Sequence, residues 1–153
     1  MIKIPKITFQ GVTSGGNLSV GNYHLYFKLS DADGNETDFV GETGLISVFM
    51  GFSDPHSVHT GQANENSYKA IKMLMSNIDS SYNYVTVYYS RYTADAGENF
   101  NIEYVKIDKK FVVNNSGVCS MLITGFETSV PITAADINQN YNTVDAAKTA
   151  TSC

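Results

Sequence analysis

The sequence predicts an all-β fold, an antiparallel β-sandwich with a short C-terminal extension. Seven or eight short apolar runs alternate with turn residues, and no long helical periodicity lies between them. Of the 153 residues 42% are hydrophobic and only 16% charged, against a usual charged share of ~25%. That is enough apolar surface for one packed domain, and the polar remainder is Ser, Thr, Asn and Gly rather than charge.

Ile7 to Val12 is a run of β-branched and aromatic residues, and the Thr-Ser-Gly-Gly-Asn cluster behind it suits positive φ and side-chain-bonded turns. This is a strand and a loop. From Gly21 the chain alternates at period two, with Tyr23, Leu25, Phe27 and Leu29 on one face and His24, Tyr26 and Lys28 on the other. Asp31 to Glu36 carries Asp-Gly at its centre, and Thr37 to Val40 resumes the extended pattern, so the two runs form a hairpin. Leu45 to Phe52 is a further apolar strand.

Ser53 to Ser67 has no periodicity and reads as a surface loop of ~15 residues, a length that marks binding or assembly segments in compact domains. Tyr68 to Ile78 fits either a helix or a buried strand; its length and β-rich flanks favour the strand. Val85 to Tyr92 is the clearest strand. After the turn at Thr93 to Asn99, Phe100 to Val113 returns with Ile102, Tyr104 and Lys106 opposed to Glu103, Val105 and Ile107. Asn114-Asn-Ser-Gly turns the chain into a short strand from Val118 to Thr124. Beyond Gly125, Thr133 and Asp136 form a capping-box-like start that Asn138-Gln-Asn-Tyr-Asn breaks at once, giving one helical turn and an extended tail. The expected division is a sandwich over 3–125 and a tail over 126–153. The end at Ser152-Cys153 falls mid-pattern, as expected for a piece of a longer protein.

Charge and hydropathy exclude several partners. Ten Lys and Arg against fifteen Asp and Glu leave a net charge of −5, so the basic field that neutralises phosphates is lacking and no nucleic acid is expected. No apolar run approaches the ~20 residues that cross a bilayer, so no membrane is expected either. The opening Met-Ile-Lys-Ile-Pro-Lys has no signal-peptide core, which implies synthesis in the cytoplasm, with Cys119 and Cys153 as reduced thiols.

Chemical motifs are sparse. Asp31, Asp33, Asn35 and Glu42 occupy positions one, three, five and twelve of a calcium loop, but the Gly needed at position six is Glu36, and a β-turn with self-bonded Asp side chains explains the same spacing. His56 and His59, with Asp54 or His24, are a zinc set without a recognisable Cys or Glu partner. Both remain weak metal candidates beside the solvated-loop alternative. There is no Gly-x-Ser-x-Gly elbow, and Cys119 falls in a core strand without a base near it in sequence. Glu98 and Glu103 read as solubilising charge more readily than as a glycosidase pair. Gly15-Gly16 lacks the Lys and helix of a phosphate loop. The chain is therefore expected to be no enzyme and to carry no cofactor.

Tyrosine is the residue in excess. Tyr82, Tyr84, Tyr88, Tyr89 and Tyr92 fall on both faces of one strand region, and the outward set makes an aromatic strip. Such a strip covers the core, anchors a protein interface, or stacks on sugar rings. The candidate interface residues are Tyr88, Tyr89 and Tyr92 with His56 and His59.

Two resemblances sharpen these expectations. Asn77 to Tyr92, with Ile78, a polar turn, then Tyr84 and alternating Val and Tyr, resembles the E–F corner of a fibronectin type III or immunoglobulin-like domain. The likeness implies a corner tyrosine, Tyr84 or Tyr82 by a shifted register, whose hydroxyl bonds back to the preceding loop. Leu18 to Thr37, with Gly-Asn-Tyr and Asp-Ala-Asp-Gly-Asn-Glu-Thr, resembles a hairpin of the large stabilisation or muzzle virion proteins of crAss-like bacteriophages. Pro131 to Asn138 and Asp145 to Ala150 resemble their joint to the following module. This implies a non-catalytic structural or assembly module at the portal or tail vertex of a virion, made in the host cytoplasm, with other virion proteins or symmetry copies as partners. The alternative is a carbohydrate-binding module for host surface glycan, using the outward tyrosines and the histidine loop.

Overall fold

A computed structural model describes residues 4–49, 66–94 and 100–137. Among them nine strands run in the order β1 (Lys6–Ser14), β2 (Gly21–Ser30), β3 (Glu36–Glu42), β4 (Ile46–Val48), β5 (Lys69–Ser76), β6 (Tyr84–Ala94), β7 (Phe100–Val112), β8 (Cys119–Ile123) and β9 (Ser129–Ile132). They form two antiparallel sheets, one ordered β1-β5-β8 and the other β3-β2-β6-β7-β9, with β4 also paired to β2. The fold is the β-sandwich the alternation predicts.

The inner faces follow the sequence parity. On β2, Tyr23, Leu25, Phe27 and Leu29 are buried, and the ladder to β6 runs unbroken from Asn22 opposite Tyr92 to Ser30 opposite Tyr84. Val85 and Val87 of β6 and Ile107 and Phe111 of β7 continue that layer. Across from it lie Ile71, Met73 and Met75 of β5 and Cys119, Met121 and Ile123 of β8. Tyr68 to Ile78 is thus a strand region. Its methionines Met73 and Met75 are buried between the two sheets, a place that suits an unbranched, flexible side chain.

Gly16 explains part of the Gly-Gly pair: a Cβ there would sit 1.9 Å from the Lys69 carbonyl oxygen. Only glycine permits that approach of the β1–β2 connection to β5.

Three expectations change. The tail assigned from residue 126 begins with β9, which pairs with β7 from Tyr104 opposite Ile132 to Ile107 opposite Ser129. The turn Ala134–Ile137 then folds onto the sheet, so the packed unit runs through Ile137. The hydroxyl that bonds back to an upstream backbone belongs to Tyr23, which donates to the Ser19 carbonyl at 2.6 Å; Tyr84 instead lies under Lys110, whose Nζ is 5.8 Å from its ring. Finally, the predicted run from Leu45 is a strand only at Ile46–Val48 among the described residues. His56 and His59, with the rest of residues 50–65, lie outside the described residues.

Candidate interaction surfaces

The outer face of the larger sheet carries the aromatic strip. Strand parity places His24, Tyr26 and Lys28 of β2 beside Tyr88, Ser90 and Tyr92 of β6, and Tyr104 and Lys106 of β7 beyond them. Tyr88 is only 7% exposed because Ile137, itself 1% exposed, lands on it together with Tyr26. Phe39 meets Tyr88 edge-on at 5.1 Å between centroids, and the Lys28 ammonium lies 4.8 Å from Phe39 and 5.1 Å from Tyr88. Burial, with Glu36 and Asp136 nearby, pushes the Tyr88 hydroxyl up to about 12.

The turn that brings Ile137 down is fixed by its own cap. The Thr133 N–H donates to Asp136 Oδ2 at 2.8 Å and the Thr133 hydroxyl at 3.1 Å, one half of the capping box expected from the sequence. The Thr133 N–H bond, foremost, lowers the Asp136 carboxyl below its ordinary value.

The three candidate tyrosines therefore part company. Tyr88 is covered by the chain itself. Tyr89 has the parity of Val85 and Val87, so its ring turns into the sandwich and tilts against Tyr23 at 5.2 Å, and burial raises its hydroxyl to about 12. Tyr92 stays half-buried at the outer end of β6. The shared parity with the two valines was the sequence signal for Tyr89; nothing local in the sequence pointed to the cover over Tyr88.

At the same end of the ladder, on its inner face, Arg91, 7% exposed, donates from Nε and one Nη to the same Glu103 carboxylate oxygen at 2.9 and 2.7 Å, and from its other Nη to the Val20 carbonyl at 2.9 Å. It ties β6, β7 and the β1–β2 connection together. Sequence reading missed it because a single Arg in an apolar strand carries no spacing signal.

The Asp31 carboxylate is committed to its turn. Its Oδ1 accepts from the N–H groups of Asp33 and Asn35, and its Oδ2 from the Asn35 amide; the Asn35 amide bond, foremost, lowers its pKa. Glu42 stands at the other end of β3, a seven-residue strand and thus ~20 Å away, beside His24 at 3.5 Å. The calcium spacing is therefore not brought together in space. Among the described residues no three His, Cys, Asp or Glu side chains converge as a metal set. Cys119 is fully buried, and burial pushes its thiol up to about 11, the opposite of an activated nucleophile.

Among the described residues the sandwich is open along one side. There β1 is the edge of the smaller sheet, and β3 and β4 flank the same side of β2 as the edge of the larger one. Between them lies an apolar cleft of about 310 Å³ lined by Phe9 and Val12 from β1 and by Leu45 and Ile46 from the β4 side. Phe9 is 47% and Leu45 62% exposed.

These features define a class, a β-sandwich module with an open apolar seam. No family model matches the chain, and no curated protein matches it.

Proposed function

We propose that the chain is a non-catalytic assembly module whose open seam seats an extended segment of a neighbouring protein. The observation that carries this reading is the apolar cleft between two sheet edges, where Phe9, Val12 and Leu45 stand exposed beside strands that, among the described residues, have an unpaired side. An unpaired edge offers a ladder to an incoming strand, and alternate apolar pockets beside it hold that strand's side chains. The finer assignment, an immunoglobulin-like or fibronectin-type module of a bacteriophage virion at the portal or tail vertex, is supported by the resemblance of the Leu18 to Thr37 hairpin and of the Pro131 joint. Its partners are then other virion proteins or symmetry copies.

The test is a photo-crosslinking amino acid placed at Leu45 and carried into the particle. A cross-link to another virion protein or to a second copy is expected, and Phe9→Glu should abolish it while the domain stays folded. The reading is overturned if no cross-link forms and particles assemble normally when the chain is deleted.

A further inference from the structure

At one end of the sandwich the turn from β5 to β6 meets the turn from β7 to β8 around a depression of about 220 Å³. Its frame is rigid. The Ile78 N–H donates to the Gly117 carbonyl at 3.0 Å, the Val113 N–H to the Asn83 carbonyl at 2.9 Å, and the Asn83 N–H to the Ser30 carbonyl at 2.9 Å. Asn114 Oδ1 accepts from the N–H groups of Ser116 and Val118, and Asp79 Oδ1 from the N–H and hydroxyl of Ser81. Gly117, at φ +74°, lies so close to the Ile78 carbonyl that a Cβ there would come within 2.6 Å.

The side chains around this frame are spared that work. Ser80, Asn83, Asn115 and Ser116 line the depression, and among the described residues their side chains make no hydrogen bond; Tyr82 adds a half-buried ring, and Val113 an apolar wall. No lining residue is charged. Two carboxamides, each a donor beside an acceptor, match the paired donor and acceptor of adjacent hydroxyls on a sugar. The Tyr82 ring and Val113 suit the C–H face of the same ring. An anion would find no counter-charge here and would lose hydration without compensation, and the Asp79 carboxylate of the frame already accepts from the Ser81 N–H and hydroxyl. Drug-sized ligands occupy ~300–1,000 Å³, so this smaller space fits a single ring.

We infer that this depression is a binding site for a neutral sugar unit, the terminal pyranose of a glycan. It lies apart from the seam and does not depend on the assembly role. It also relocates sugar recognition away from the aromatic strip, where Tyr88 is covered and Tyr89 is turned inward.

The test is an isotope-edited NMR titration of the full chain with glucose, galactose, mannose and their methyl glycosides. At least one should shift the side-chain amide signals of Asn83 and Asn115 and the Gly117 N–H in a saturable way, in the roughly millimolar range expected of a one-ring ligand. Asn83→Ala and Asn115→Ala should each weaken it by roughly tenfold with unchanged Tm, since neither side chain supports the fold. The inference is overturned if none of these sugars moves those signals, if a charged sugar acid binds equally well, or if the two variants bind like the parent chain. Because the readout is at Asn83 and Asn115, its failure leaves the seam cross-link at Leu45 untouched.

Discussion

At the scale of single residues, Arg91 shows how one side chain can matter through what it leaves behind. Its partner Glu103 has a side chain 50% exposed, so the ion pair itself is screened by water and contributes little. The Val20 carbonyl, by contrast, is held by Arg91 at a residue only 2% exposed. Glu103→Gln is therefore expected to cost less than about 1 kcal/mol. Arg91→Met, similar in length but without a donor, should cost about 2–3 kcal/mol, because a buried carbonyl loses its bond to a charged group. Urea unfolding of the two variants checks the difference, and equal losses would show that the ion pair and not the carbonyl carries the effect.

Single elements differ in how far the sequence reveals them. The parity of β2 was legible because every second residue from Tyr23 to Leu29 is large and apolar, and that regularity is what a half-buried strand requires. β5 was legible once length was weighed against its helix-compatible run. β9 was not: Ser-Val-Pro-Ile is four residues long and holds a proline, and its strand form comes from the edge that β7 offers it. The metal spacing misled for a related reason, since it counts residues along a hairpin whose second strand carries Glu42 away from Asp31.

The segment that includes β9 is held by its ladder to β7 and by Ile132 and Ile137, which pack on the outer aromatic cluster. Ile137 sits on Tyr26 and Tyr88 while the preceding Ala135 and Asp136 stay exposed. Ile137→Ala is expected to cost roughly 2 kcal/mol from lost burial and a cavity. It should also return the Tyr88 hydroxyl from about 12 toward the ordinary 10. An NMR titration that follows the Tyr88 ring signals in the variant measures that return, and an unshifted Tyr88 would mean that β9 and Phe39 cover the ring without the isoleucine.

For the whole molecule the buried phenols set the alkaline limit. Tyr88 and Tyr89 stay protonated in the folded state up to about 12, whereas unfolded tyrosines ionise near 10, and burial raises Tyr23 as well. A group held protonated by the fold stabilises it fully below the unfolded value, and that contribution is lost as pH rises from 10 through about 12. Denaturant midpoints should hold steady up to pH 10 and then fall with each further step. A midpoint that stays flat across that window would show the rings to be open to water.

Cys119 gives the molecule a clock. The residue lies at the interface of the two sheets, fully buried on β8 opposite Met75 of β5, and no reagent reaches its sulfur until the layers separate. With Cys153 replaced by serine, the rate at which an alkylating reagent consumes the remaining thiol counts separations of the sandwich under native conditions. A partner strand seated in the seam would span both layers at their open side, and the same thiol, remote from any contact with that strand, would report its arrival as a slowing of the clock.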